Sequence, residues 1–274
     1  MKKTKIEWCD STWNPVTGCF HGCEYCYARR IAERFGRDFA PRLGDPGMEG
    51  ACKYDSDEAG MDTMLELQKP YTDTNVKTWA YPMAFMPTFH RYRLTEPSRW
   101  TKPRTIFVCS MADLFGDWVP DEWIAGVFDA CRAAPQHRYL FLSKNPRRYL
   151  ELSENGLLPG EENFWFGSTV TGAGDKSMWC KNKGFHSFVS IEPILESVHL
   201  PEDEHCPEWV IVGAETGNRK DRVVPETHWL YDLQMECDET SIPMFMKESL
   251  VPIVGEENMR REFPWTSAQN DSAD

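Results

Sequence analysis

The stretch TIFVCSMADLFGDWVPDEWIAGVFDACRAAPQHRYLFLSK (105–144) decides the fold. It opens on the apolar run TIFVCSMAD (105–113) and closes on RYLFLSK (138–144). Continuous apolar runs of this length, rich in Val, Ile and Phe, read as strands buried on both faces. Between them, Pro120, Asp121 and Glu122 suit a first helical turn, and Ile124, Val127, Phe128 and Cys131 keep helical spacing. Two buried strands around an amphipathic helix predict a right-handed βαβ unit with parallel strands.

Outward from this unit the same pattern recurs. FWFGSTV (164–170), FVSIEP (188–193), WVIVGAET (209–216) and PMFMKES (243–249) read as further buried strands. PETHWLYDLQMEC (225–237) reads as a helix through Leu230, Leu233 and Cys237. Toward the N-terminus, STWNPVTG (11–18) reads as the first strand and YARRIAERFG (27–36) as the first helix. The fold class is therefore α/β, with a full or partial β/α barrel as the expected closure. Residues 37–103 fit the rhythm worst; PRLGDPGMEGACKYDSDEAG (41–60) is rich in Gly, Pro and acid. They read as an insertion in the first crossover, with MPTFHRYRL (86–94) as an extra strand. A single domain over 1–265 and a disordered tail over 266–274 complete the expectation.

The chain has 274 residues, 41% of them hydrophobic, enough for a substantial core. A formal net charge of −13 argues against sequence-blind adhesion to a polyphosphate backbone, although a local basic groove is compatible with it. MKKTKIEWCD (1–10) lacks the apolar stretch of a signal peptide, and no run reaches the length of a membrane span. A cytoplasmic protein without membrane partners is the expectation. In that setting the ten cysteines point to metal or redox chemistry rather than disulfides.

Three of those cysteines crowd into GCFHGCEYC (18–26) at C-x3-C-x2-C spacing: Cys19, Cys23 and Cys26. Following the first strand, the loop sits at the strand's C-terminal end, where β/α barrels carry their chemistry. Three thiolates can bind three irons of a 4Fe–4S cluster and leave the fourth iron free for another ligand. A structural zinc instead takes four protein ligands, which Cys9 or His21 would complete. Cys52, Cys109, Cys131, Cys180, Cys206 and Cys237 lack a partner motif, and the seven histidines show no ligand spacing.

CFHGCEYC, with the aromatic Tyr25 before its last cysteine, resembles the signature of radical S-adenosylmethionine enzymes. TKIEWCDSTWNPVTGC, CYARRIAERF, FVCSMADLFGDWVPDEWIAGVF, FLSKNPRR, SIEPIL, WVIVGAETG and FMKE resemble, in order, a phage-associated and bacterial radical-SAM-like family known only as a domain of unknown function (DUF5131-like). The resemblance runs from about residue 4 to 250. It implies a partial (β/α)6 TIM-type barrel, with strands beginning near residues 11, 105, 138, 164, 188 and 209 and PMFMKES as an additional C-terminal strand. It also implies a 4Fe–4S cluster on Cys19, Cys23 and Cys26, whose open iron holds S-adenosylmethionine. Reductive cleavage would then give a 5′-deoxyadenosyl radical that takes hydrogen from a substrate. The phage association makes a nucleotide or nucleic acid base the expected substrate class, and a flavodoxin or ferredoxin the expected reductant.

Many members of that superfamily carry Gly-Gly-Glu after the second strand, on the amino group of S-adenosylmethionine. Here Ser110, Met111, Ala112 and Asp113 hold that place, so Ser110 and Asp113 join Tyr25 as implied cofactor contacts. Ser168 and Thr169, at the end of the fourth strand, are the implied ribose contacts. In a barrel, strand ends converge on one mouth. Glu192, Glu215 and Lys247 each directly follow an apolar run and are the expected catalytic, substrate-side residues. NPRRY (145–149) is a candidate phosphate contact.

Overall fold

The structure is a computed structural model that describes residues 4–36, 52–55, 63–73, 77–175, 184–201, 206–217 and 219–266. Its sheets run in the strand orders β1-β6-β7-β8-β9-β10-β11 and β2-β5-β4-β3. Here β1 is Ser11–Trp13, β2 Val16–Thr17, β3 Cys52–Asp55, β4 Thr63–Leu67, β5 Thr88–His90, β6 Thr105–Val108 and β7 Arg138–Ser143. The later strands are β8 (Phe164–Val170), β9 (His186–Ile191), β10 (Val210–Val212) and β11 (Met244–Met246). In the seven-stranded sheet the pairs β1/β6, β6/β7, β8/β9, β9/β10 and β10/β11 are all parallel. The α/β class with a parallel sheet is thus as expected. Two compact units, Met1–Phe141 and Leu142–Asp274, divide the chain. Among the described residues no helix is long and apolar enough to cross a membrane.

In the first unit, all four residues of β6 are buried. The expected strand 105–113 stops at Val108 because Cys109 takes φ 58°, which turns the chain out of the sheet. Helix α1 spans Tyr27–Phe35 and α2 spans Asp121–Arg132. Pro120 precedes α2, Asp121 and Glu122 lie in its first turn, and it buries Trp123, Ile124, Val127, Phe128 and Cys131. Phe128 meets Phe141 of β7 edge-on, with ring centroids 5.4 Å apart.

The expected first strand 11–18 is two strands in different sheets. β1 pairs with β6, whereas β2 pairs antiparallel with β5. Asn14 and Pro15 make the break: Pro15 has no N–H for a ladder, and its carbonyl accepts from the His90 amide at 2.7 Å. The expected extra strand at 86–94 is present as β5. It belongs with β3 and β4 of the insertion, and with β2 from before it, to a four-stranded sheet that the sequence reading did not anticipate. The predicted tail 266–274 lies outside the described residues, apart from Thr266.

In the second unit, helices α3 (Pro146–Glu154), α4 (Thr227–Glu239) and the short α5 (Val251–Val254) accompany β8–β11. Val170, Val189, Ile191, Val210, Val212, Met244 and Met246 form one apolar core with Leu230, Leu233 and Cys237 of α4. The candidate phosphate segment 145–149 opens α3. Pro146 starts that helix and Tyr149 is buried within it, while Arg147 and Arg148 reach Glu151 at 3.2 and 3.6 Å.

Candidate functional site

The cysteine loop is fixed at its entry by a glycine. Gly18 has φ 88°, and a Cβ there would lie 2.2 Å from the Met86 carbonyl oxygen. Only a residue without a side chain fits. The Gly18 amide donates to the Met111 carbonyl at 2.8 Å, and the Cys19 amide to the Phe85 carbonyl at 3.1 Å. Cys19 and Cys26 pack against a small core of Ala28, Ala32, Phe85 and Met111. At its exit the loop runs straight into α1. Cys26 is the N-cap, and its sulfur accepts the Arg29 amide at 3.3 Å. Burial pushes the Cys19 thiol up to about 12, helped by the negative charge of Asp113 and then by Cys23 and Cys26, while the His21 amide works against the shift. Any ligation by Cys19 must therefore displace a proton.

A second loop, after β6, meets the first. Asp113 is 5% exposed, and its Oδ2 lies 2.7 Å from His21 Nε2. Its Oδ1 accepts the Phe115 amide at 3.0 Å. The resemblance assigns this carboxylate to a cofactor ammonium; here it bonds His21 of the cysteine loop and the Phe115 amide of its own loop. Ser110 donates to the Asn14 side-chain carbonyl at 3.1 Å, and the Ser110 carbonyl accepts from the Tyr27 hydroxyl at 2.7 Å. Tyr25 is half-buried, with its carbonyl accepting from Arg30 at 3.3 Å. Trp118 packs edge-on against both Phe20 and His21, with centroids at 5.3 and 4.9 Å.

In the second unit the strand alternation separates two neighbours. Ser168 pairs in register with Val189, whereas Thr169 pairs with Ser190. Val189 belongs to the apolar core and Ser168 is buried beside it, so Thr169 alone shares the opposite face with Ser190. The two implied ribose contacts, Ser168 and Thr169, therefore face opposite sides of the sheet. Lys247 lies over Gly213, whose added Cβ would be 2.9 Å from Lys247 Cδ, and its ammonium pairs with Glu192. Glu215 does not join this pair. Arg219 grips it through two bonds of 2.7 and 2.8 Å and holds its carboxyl below the usual range.

A family model described as "Protein of unknown function (DUF5131)" matches residues 3–252. The chain belongs to this family. Searches among curated proteins and solved structures find no match.

The DUF5131 match takes in the cysteine loop, Asp113, the Glu192–Lys247 pair and Glu215. Within this DUF5131 chain the donor set suits an iron–sulfur cluster. Three thiols lie on one loop clamped at Gly18, and one of them, Cys26, caps helix α1. Among the described residues no three Cys, His, Asp or Glu side chains converge on one metal-ion position. His21, a proposed fourth zinc ligand, has its Nε2 on Asp113. The His21–Asp113 link and Arg219 are the residues that sequence reasoning missed. Arg219 stands four places after Glu215, a usable signal. His21 and Asp113 are 92 positions apart and offered none.

Proposed function

We propose that this DUF5131 protein is a radical S-adenosylmethionine enzyme on a partial β/α barrel, holding a 4Fe–4S cluster through Cys19, Cys23 and Cys26. The observation that carries the reading is the clamped three-thiol loop with Cys26 at the N-terminus of α1. When bound, the cluster supplies the single electron that breaks a carbon–sulfur bond of S-adenosylmethionine. The chain's own part is to fix the three sulfurs and leave one iron without a protein ligand. By analogy with that superfamily Thr169, near the end of β8, is assigned to the cofactor, and Glu192, Lys247 and Glu215 to orienting a substrate of the nucleotide or nucleic acid base class. A flavodoxin- or ferredoxin-type protein supplies the electron.

The test is anaerobic reconstitution with iron and sulfide, followed by metal analysis and incubation with S-adenosylmethionine and dithionite. Close to four irons per chain and release of 5′-deoxyadenosine are expected. Cys19→Ala, Cys23→Ala and Cys26→Ala should each abolish cluster assembly, whereas Cys9→Ala should leave it intact. A colourless protein holding stoichiometric zinc that is lost on Cys9→Ala would replace this reading with a structural zinc site.

A further inference from the structure

A partly buried polar contact of the first unit that the proposed function does not use links His21 to Asp113. His21 stands inside the cysteine motif, between Cys19 and Cys23. Its own amide donates to the Cys19 sulfur at 3.5 Å, and its ring reaches back to Asp113 Oδ2 at 2.7 Å. One residue thus couples a candidate ligand to a carboxylate on another loop. That carboxylate is anchored in turn by the Phe115 amide. The His21 ring is further confined by the edge of Trp118, which itself lies where a side chain on Gly116 would be, 2.3 Å from the Cβ position. Nothing in this arrangement is surface decoration: the Asp113 side chain is 7% exposed.

We propose that Asp113, acting through His21, is a positioning residue that latches the cysteine loop in its ligating conformation and sets a fixed negative charge beside the Cys19 sulfur. The inference rests on the cluster reading for its second half only. A hydrogen-bonded partner behind a ligand-bearing segment orients the ligand and tunes the metal group it holds. A negative charge next to a cluster disfavours the added electron, so the chain would keep the cluster a stronger reductant than the same three thiolates alone.

The experiment has two arms. In metal-free protein, the alkylation of Cys19 by iodoacetamide is followed by peptide mass spectrometry, with Cys131, 0% exposed, as the internal control for global unfolding. His21→Gln and Asp113→Asn should each raise the Cys19 rate about tenfold, the gain expected when a constraint of roughly 1.4 kcal/mol is removed. Cys131 should stay unreactive. In reconstituted protein, Asp113→Asn should keep wild-type iron content while its midpoint potential moves to a more positive value. His21 is partly exposed, so His21→Gln decides the first arm even if Asp113→Asn does not fold. Wild-type Cys19 reactivity in His21→Gln overturns the latch. An unmoved potential in fully loaded Asp113→Asn, with lost affinity for S-adenosylmethionine, overturns the charge role and assigns the carboxylate to the cofactor. Failure of the wild type to assemble a cluster refutes the cluster reading, and with it the charge role; the alkylation arm still decides the latch.

Discussion

Replacing Gly18 with alanine sets a methyl group 2.2 Å from the Met86 carbonyl oxygen and 2.7 Å from that of Phe85. The first cost is conformational, since φ is 88° and a left-handed residue with a Cβ loses about 1–2 kcal/mol. The second is steric. Ordinary contact needs about 1 Å more room, both opposing atoms are backbone, and forced overpacking of this kind costs roughly 1–3 kcal/mol. Moving residues 85–86 away also strains the Cys19 amide bond to Phe85, worth about 1 kcal/mol. The expected loss is therefore roughly 3–6 kcal/mol, at the upper end for a single substitution.

Gly22 provides the matched control inside the same loop. Its φ is 71°, but the nearest atom to an added Cβ is the Phe20 carbonyl oxygen at 4.0 Å. Gly22→Ala should lose only the conformational part, about 1–2 kcal/mol. Urea unfolding followed by tryptophan fluorescence measures both, and cluster content after reconstitution reports the loop itself. Gly18→Ala should be the less stable by at least about 2 kcal/mol and should lose iron binding, whereas Gly22→Ala should keep it. Equal losses in the two variants would refute the claim that the Met86 carbonyl fixes the entry to the cysteine loop.

Further outcomes follow from the same physics. His90 is fully buried between Thr17 and Tyr92, and burial, reinforced by Arg93, lowers its pKa well below the ordinary 6.5. The unfolded chain then binds the proton first, so stability is full above 6.5 and falls as the pH drops below it, and a flat urea midpoint from pH 7.5 to 5 would contradict it. Burial pushes the Cys109 and Cys237 thiols from 9.0 up to about 12. Both should alkylate about a thousandfold more slowly than an ordinary cysteine at pH 8, and labelling at ordinary rates in native protein would count against their burial. Lys247→Ala should keep the cluster and uncoupled 5′-deoxyadenosine release yet lose turnover of the true substrate; a lower melting temperature with all activities reduced in step would make the Glu192 pair structural.

Strand placement was legible wherever burial on both faces wrote a continuous apolar run, and β8 coincides with the predicted 164–170. What ended a run was not legible. Cys109 looks like one more apolar residue, and only its positive φ closes β6. The break at Asn14–Pro15 carried a signal in the proline, but a buried tryptophan on one side and a buried valine on the other masked it. Helix α3 was missed because its buried face is narrow, Tyr149 and Leu152, and the arginines between Pro146 and Tyr149 invited a phosphate reading. At the site, cysteine spacing exposed the candidate ligands, while the groups that hold them are backbone carbonyls of Phe85 and Met111. Backbone contacts leave no trace in residue type.

The opposite faces of Ser168 and Thr169 show how far period-two reasoning reaches when it is applied. Val170 and Phe166 bracket Ser168 on the buried side, so the alternation alone assigns Thr169 to the other side. On that side the charges are already matched: Lys247 with Glu192, and Glu215 with Arg219. A lysine facing two glutamates, as the strand ends predicted, would have carried an excess negative charge and repelled a phosphate. With one acid withdrawn to Arg219, Lys247 and Glu192 form a neutral donor–acceptor pair. Lys247 keeps further N–H donors beside its bond to Glu192, but a phosphate taking them would meet the Glu192 carboxylate, whereas a base edge or an amide, offering a donor and an acceptor side by side, can bond both groups. On the proposed reading of a nucleotide or nucleic acid base substrate, this pair would suit a base edge better than a phosphate.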